Sequence, residues 1–255
     1  MLALMVLQGV VASAVGLTVR GQWSPALSLL ANLLTAGALA RVDQRLLGGR
    51  WARAAVLAAL AGGLGLNNLL ETLLFSIGIP SDVLPRIWVM TPLVAIGLAG
   101  VLAWLPGRSP VFGEAAQAAW PEWWRLALCV LAYVVAYSVA GLIAWPFLRD
   151  FYQQWQMPPN SRVLMMQVVR GLVLSLLVLL MARRLAVGRK DLALSAGLVL
   201  SVVGGVAHLV PPNPFFPDGV RVTHLWEVGV SNFVFGAFAG WLLSAPRRRP
   251  SPRPA

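Results

Sequence analysis

A chain of 255 residues that is 58% hydrophobic and 11% charged is not a soluble globular domain, because such domains carry about 25% charged residues. Its apolar residues fall into runs long enough to cross a hydrocarbon core of roughly 30 Å, so the class is an all-α integral membrane protein. A net charge of +11 on a soluble chain would suggest nucleic acid. Here nucleic acid is set aside as a partner, because the arginines gather in loops on one side of the apolar runs.

Residues 1–19 form the first run. Ala12–Ser13–Ala14 faintly resembles a signal-peptidase site, but no basic residue precedes the run, so it is read as a retained helix. Residues 25–40 form the second span, followed by a basic loop with Arg41, Arg45, Arg50 and Arg53. The third covers 54–78 and the fourth 87–105. Residues 109–124 break the pattern by mixing Glu114, Gln117 and Glu122 with three tryptophans, which suits a helix lying in the interface. The fifth to eighth spans are 125–148, 163–182, 192–210 and 222–245. The tail 246–255, with four arginines and four prolines, reads as disordered.

Placing both termini in the cytoplasm puts fourteen of the twenty basic residues on the inner side and five on the outer, with Arg170 inside a span. Such a bias sets orientation. All eleven tryptophans fall at or near predicted helix ends, as an aromatic belt would place them. The expectation is one polytopic domain of eight transmembrane helices over 1–245, in a bacterial-type inner membrane. Leu47–Gly48–Gly49–Arg50 followed by Gly62–Gly63 echoes Ala186–Val187–Gly188–Arg189 followed by Gly204–Gly205. The echo suggests two parallel four-helix halves, although small residues recur in all membrane helices.

The eighth span carries His224 and Glu227, which at i and i+3 share a helix face. An ionisable group inside a membrane costs roughly 2.5–3.5 kcal/mol on insertion scales and marks a functional-site hypothesis. Depth, counted at about 1.5 Å per residue, places Asn67, Asn68, Glu71, Gln167, Arg170, His208, His224 and Glu227 at one level in the outer half, with Asn232 near mid-depth. Gln8 and Asn32 lie elsewhere. Glu71, Glu227 and Arg170 leave one negative charge, to be offset by a protonated histidine, a proton retained on a glutamate, or a cation. The bland alternative is a structural Glu71–Arg170 pair with asparagines as interhelical glue.

Three kinds of function fit. The first is binding and processing of a lipid or other amphipathic substrate, with Glu227 and His224 as the acid–base pair and Glu71 as a second carboxylate. Arg170 and Arg221 would then be substrate-binding or charge-setting, and Asn67, Asn68, Gln167 and Asn232 orienting groups. Either no cofactor is used or a single divalent metal on His224, Glu227, Glu71 and His208. The second is a small proton-coupled transporter or lipid translocase. The third is a scaffold that assembles with copies of itself or another membrane protein through Gly236-x-x-x-Gly240. The Glu-Glu-x-x-x-Arg motif of CAAX-processing membrane proteases, a Gly-x-Ser-x-Gly elbow and a phosphate loop are all absent from the sequence.

Overall fold

The computed structural model describes residues 24–75, 82–104, 123–154, 157–212 and 216–244. The expected first span 1–19, Gln8, the interfacial residues 109–122 and the tail 246–255 lie outside them. The described residues form seven long helices: α1 (Pro25–Asp43), α2 (Arg50–Leu69, extended by a 3₁₀ turn, Leu70–Leu73), α3 (Leu84–Trp104), α4 (Trp123–Tyr152), α5 (Asn160–Arg184), α6 (Arg189–Leu209) and α7 (Asp218–Leu243). Six are long and apolar enough to cross a membrane. The remaining one, α7, has 26 residues and spans about 39 Å. It carries His224, Glu227, Ser231 and Asn232 within its apolar run.

Most helices run past the expected limits, because their end turns keep charged and aromatic residues helical. Arg50 and Arg53 lie in the first turn of α2, where the sequence suggests loop. Arg53 is buried there and donates to the Asp43 carboxylate at the end of α1, with contacts of 2.8 and 2.9 Å. Ser24 caps α1 by accepting from the Leu27 amide, and Pro25 sits in the first turn, where its missing N–H leaves no bond unmade. Tyr152, expected in a loop, is the last residue of α4.

The α1–α2 and α5–α6 turns meet at one end of the bundle. Leu47 donates its amide to the Arg184 carbonyl at 2.9 Å, and Ala186 donates to Arg45 at 3.0 Å, so Leu46 and Leu185 face each other antiparallel. Gly48 makes its turn at φ +102°, a conformation open to glycine. The two helices of each hairpin touch little; α1 packs instead on α6, and α2 chiefly on α3 and then on α5. The apolar core behind these turns includes Leu39, Leu57, Leu60, Leu64, Val178, Met181, Val199 and Leu200. Helix α6 is the central one, with 61% of its apolar window buried against 11% for α4. The outward side of α4 shows Leu131, Val135, Val139, Leu142 and Phe147, and that of α5 shows Met165, Val168, Leu172 and Leu176. Such surfaces suit lipid.

Helices α6 and α7 make the most extensive contact in the bundle. Gly236 and Gly240 bring the α7 backbone onto Ala193, Ala196 and Gly197 of α6. The Gly236-x-x-x-Gly240 stripe is therefore covered within the chain and gives no free surface for a scaffold. A Cβ at Gly236 would lie 2.8 Å from the Ala196 carbonyl oxygen, a backbone atom that cannot swing away. Gly236→Ala is expected to cost about 1–3 kcal/mol, read as a lowered thermal midpoint in detergent. Gly37→Ala, where nothing lies within 4 Å, should be neutral or stabilising.

Candidate functional site

A cavity of about 430 Å³ lies in the half of the bundle opposite the paired turns. It is bounded by the C-terminal turns of α2, α4 from Tyr133 to its end, the start of α5, the end of α6 and the first part of α7. The long face of α4 that reaches it carries Tyr133, Tyr137, Ala140, Gly141, Leu148 and Tyr152, spaced as one helical stripe. The small residues of that stripe leave the space, and its tyrosines line it.

The first polar group joins α2, α4 and α5. Glu71, in the 3₁₀ turn, pairs through Oε1 with Arg170 Nη1. Gln167, one turn earlier on α5, accepts from Arg170 Nη1 and from the Tyr133 hydroxyl, each at 3.3 Å, and donates to Glu71 at 3.5 Å. The Arg170 guanidinium also lies 5.9 Å from the Tyr133 ring centre. Arg170 is buried, and a buried cation requires such a counter-charge.

The second group joins α4 and α7. His224 Nδ1 is 2.7 Å from Glu227 Oε2, and His224 Nε2 is 3.0 Å from the Tyr152 hydroxyl. An ionised carboxylate only accepts, so Nδ1 carries a proton, and in neutral imidazole Nε2 accepts from Tyr152. If the ring is protonated, Nε2 donates to the phenol oxygen instead. The relay holds either state without moving a heavy atom. The His224 ring also meets the Tyr152 and Phe216 rings, at centroid distances of 6.0 and 5.4 Å.

The cavity thus gathers Asn68, Glu71, Arg170, His208, His224, Glu227 and Asn232 along its walls. Gln167 stands behind Arg170. Asn67 is buried with an unpaired Oδ1 and does not line the cavity. Asn232 lies beside Gly204 and Gly205, in the π-helical segment of α6 (Val202–Val206), and its amide donates to the Leu200 carbonyl at 3.3 Å. Arg221, expected to bind substrate, instead donates to the Leu209 and Val210 carbonyls at 2.8 and 2.9 Å and pairs with Asp218. It ties α7 to the end of α6, outside the cavity wall.

The alternative of a metal held by His224, Glu227, Glu71 and His208 finds no converged ligand set among the described residues. Glu71 is held by Arg170, both His224 nitrogens have partners, and among the described residues no three His, Cys, Asp or Glu side chains converge. Sequence reading missed Tyr133, Tyr137 and Tyr152. Tyr133, Tyr137, Ala140 and Gly141 recur at three- and four-residue intervals on α4, the single-face signal that could have found the site's tyrosines.

Comparison with protein-family models, curated proteins and solved structures finds no match. Glu71→Gln leaves the buried Arg170 without its counter-ion. The expected loss is about 2–4 kcal/mol, less than for a fully enclosed pair because Glu71 is one-third exposed. Adding Arg170→Met should restore part of it, a coupling measurable in a double-mutant cycle of thermal or urea unfolding.

Proposed function

We propose that the protein binds an amphipathic substrate from the lipid and processes it by metal-free acid–base chemistry, with His224 transferring the proton. The observation that carries this reading is the Tyr152–His224–Glu227 relay on the wall of a cavity of small-molecule size. Glu227 orients the ring and stabilises its charged form. A substrate group displacing the Tyr152 hydroxyl at Nε2 would pass its proton to His224. Glu71 is then no second base but the counter-ion of Arg170, and Arg170 sets charge rather than binding an anion.

We place this cavity in the outer half of a bacterial-type inner membrane, with both termini cytoplasmic. The turns opposite it carry Arg41, Arg45, Arg50, Arg183, Arg184, Arg189 and Lys190, matching the basic bias of cytoplasmic loops. We also read the chain as two parallel four-helix halves. In support, Leu46 and Leu185 occupy matching positions of the two turns and are flanked by matching hydrogen bonds. Gly49 and Gly188, which precede α2 and α6, share nearly equal dihedrals of −71°, 170° and −76°, 168°.

Such repeats, and a helix irregular beside a cavity, favour proton-coupled transport as a second reading. Against it stands the packed apolar core between the cavity and the paired turns, which among the described residues offers no polar-lined path.

The test is incubation of the protein in nanodiscs with a membrane lipid extract, followed by mass spectrometry of the products. Conversion should fall by roughly 10²–10⁴-fold in His224→Ala and Glu227→Gln while the thermal midpoint holds. Unchanged conversion in both variants would overturn the reading. Flux into liposomes that needs a pH gradient and is lost in the same variants would establish transport instead.

A further inference from the structure

We infer that the ligand of this cavity is a cationic amphipath, bearing an ammonium or quaternary ammonium group on an apolar chain. The inference rests on the cavity being a substrate site, and names what that substrate carries. Three observations support it, and none of them depends on the acid–base step.

The first is charge. Arg170, among the described residues the only basic side chain other than histidine on the cavity wall, is neutralised by Glu71. Glu227 then leaves the lining with one formal negative charge when its histidines are neutral. An incoming anion would meet that carboxylate with no free guanidinium to receive it, so the role expected for Arg170 is already taken within the chain. A cation would complete the balance.

The second is an open carboxylate oxygen. Glu227 is 8% exposed, and its Oε2 receives His224. Its Oε1 has no hydrogen-bond partner among the described residues and stands on the wall facing Gly141 of α4, 3.9 Å from where a Cβ would be. The absence of a side chain at Gly141 keeps the approach to that oxygen clear.

The third is the aromatic lining. Phe75, Tyr137, Trp145, Tyr152 and Phe216 all line the space, from three separate parts of the chain. Ring faces attract cations, most strongly where water is displaced, and several rings around a carboxylate form the usual setting for a quaternary ammonium. Met157, Val163 and Leu209 of the same wall supply apolar surface for the attached chain. A wall built for anions would present arginines or clustered amides instead.

Calorimetric titration in an uncharged maltoside detergent tests this with octyltrimethylammonium and octanoate, two soluble probes of equal chain length and opposite charge. The cation should bind at one site per chain, and octanoate at least about tenfold more weakly. Glu227→Gln should weaken the cation by about tenfold, and Glu227→Asp should keep the preference. Tyr137→Leu should weaken it roughly threefold or more, with Tyr137→Phe close to wild type. Equal binding of the two probes, preference for octanoate, binding of neither, or a preference indifferent to Glu227→Gln would each overturn the inference. The His224-dependent conversion of lipid extract is measured separately. If conversion persists without a cation preference, only the ligand class is wrong. If the cation binds but nothing is converted, only the acid–base reading falls.

Discussion

The backbone contact between α6 and α7 is the constraint on which the rest of the structure depends. In lipid, apolar side chains gain little by meeting one another, so helices associate through close packing and polar contacts. Here glycines supply the first: Gly236 and Gly240 of α7 lie on Ala193, Ala196 and Gly197 of α6, while Gly205 receives Val228 and Gly229 receives Val206. Ser201 donates to the Gly229 carbonyl at 2.7 Å, and Asn232 to that of Leu200, which supplies the second. This seam fixes the rotation of α7. Its His224–Glu227–Ser231 face turns towards α4 and the cavity, and Val222, Trp226, Val230 and Val234 are left outward.

With that rotation set, the charges must be matched in a medium that solvates them poorly. The molecule does so in two separate groups on different walls: Glu71 with Arg170 and Gln167, and Glu227 with His224 and Tyr152. Tyr137 of α4 lines the cavity that both groups border. The first group is internally neutral and braced by α2, α4 and α5. The second keeps one carboxylate oxygen without a partner among the described residues. At the opposite end the paired turns, the Arg53–Asp43 pair and Arg189, which bonds Trp241 and Ser244 and stacks on the Trp241 ring at 4.1 Å, hold the bundle shut beneath the cavity.

Helical geometry made much of this legible from residue order. His224 and Glu227 share a face because they are three apart, and counting from the basic turns places Glu71, Gln167 and Arg170 at a common depth. Other residues misled for equally physical reasons. Tyr152 follows Arg149 and Asp150, which mark the apolar limit of the span, yet long polar side chains can reach past that limit while the backbone stays helical. Tyr133 and Tyr137 look like ordinary aromatic residues of a span until α5 and α7 are placed beside them. Arg221 looks like a site residue by position, but the open carbonyls at the end of α6 claim it. The glycines of α7 fit a partner helix from another chain as well as one from their own.

The sequence by itself therefore determined the class, the approximate limits of the described helices and the His224–Glu227 pairing, because hydropathy and helical period are local properties. The tertiary structure alone decided which charges neutralise which, that the tyrosines of α4 enter the site, that Arg221 leaves it, and that one oxygen of Glu227 stays open. Those outcomes depend on the rotation of each helix about its own axis. That rotation is set by backbone contacts between helices distant in the chain, and periodicity within a single helix does not contain it.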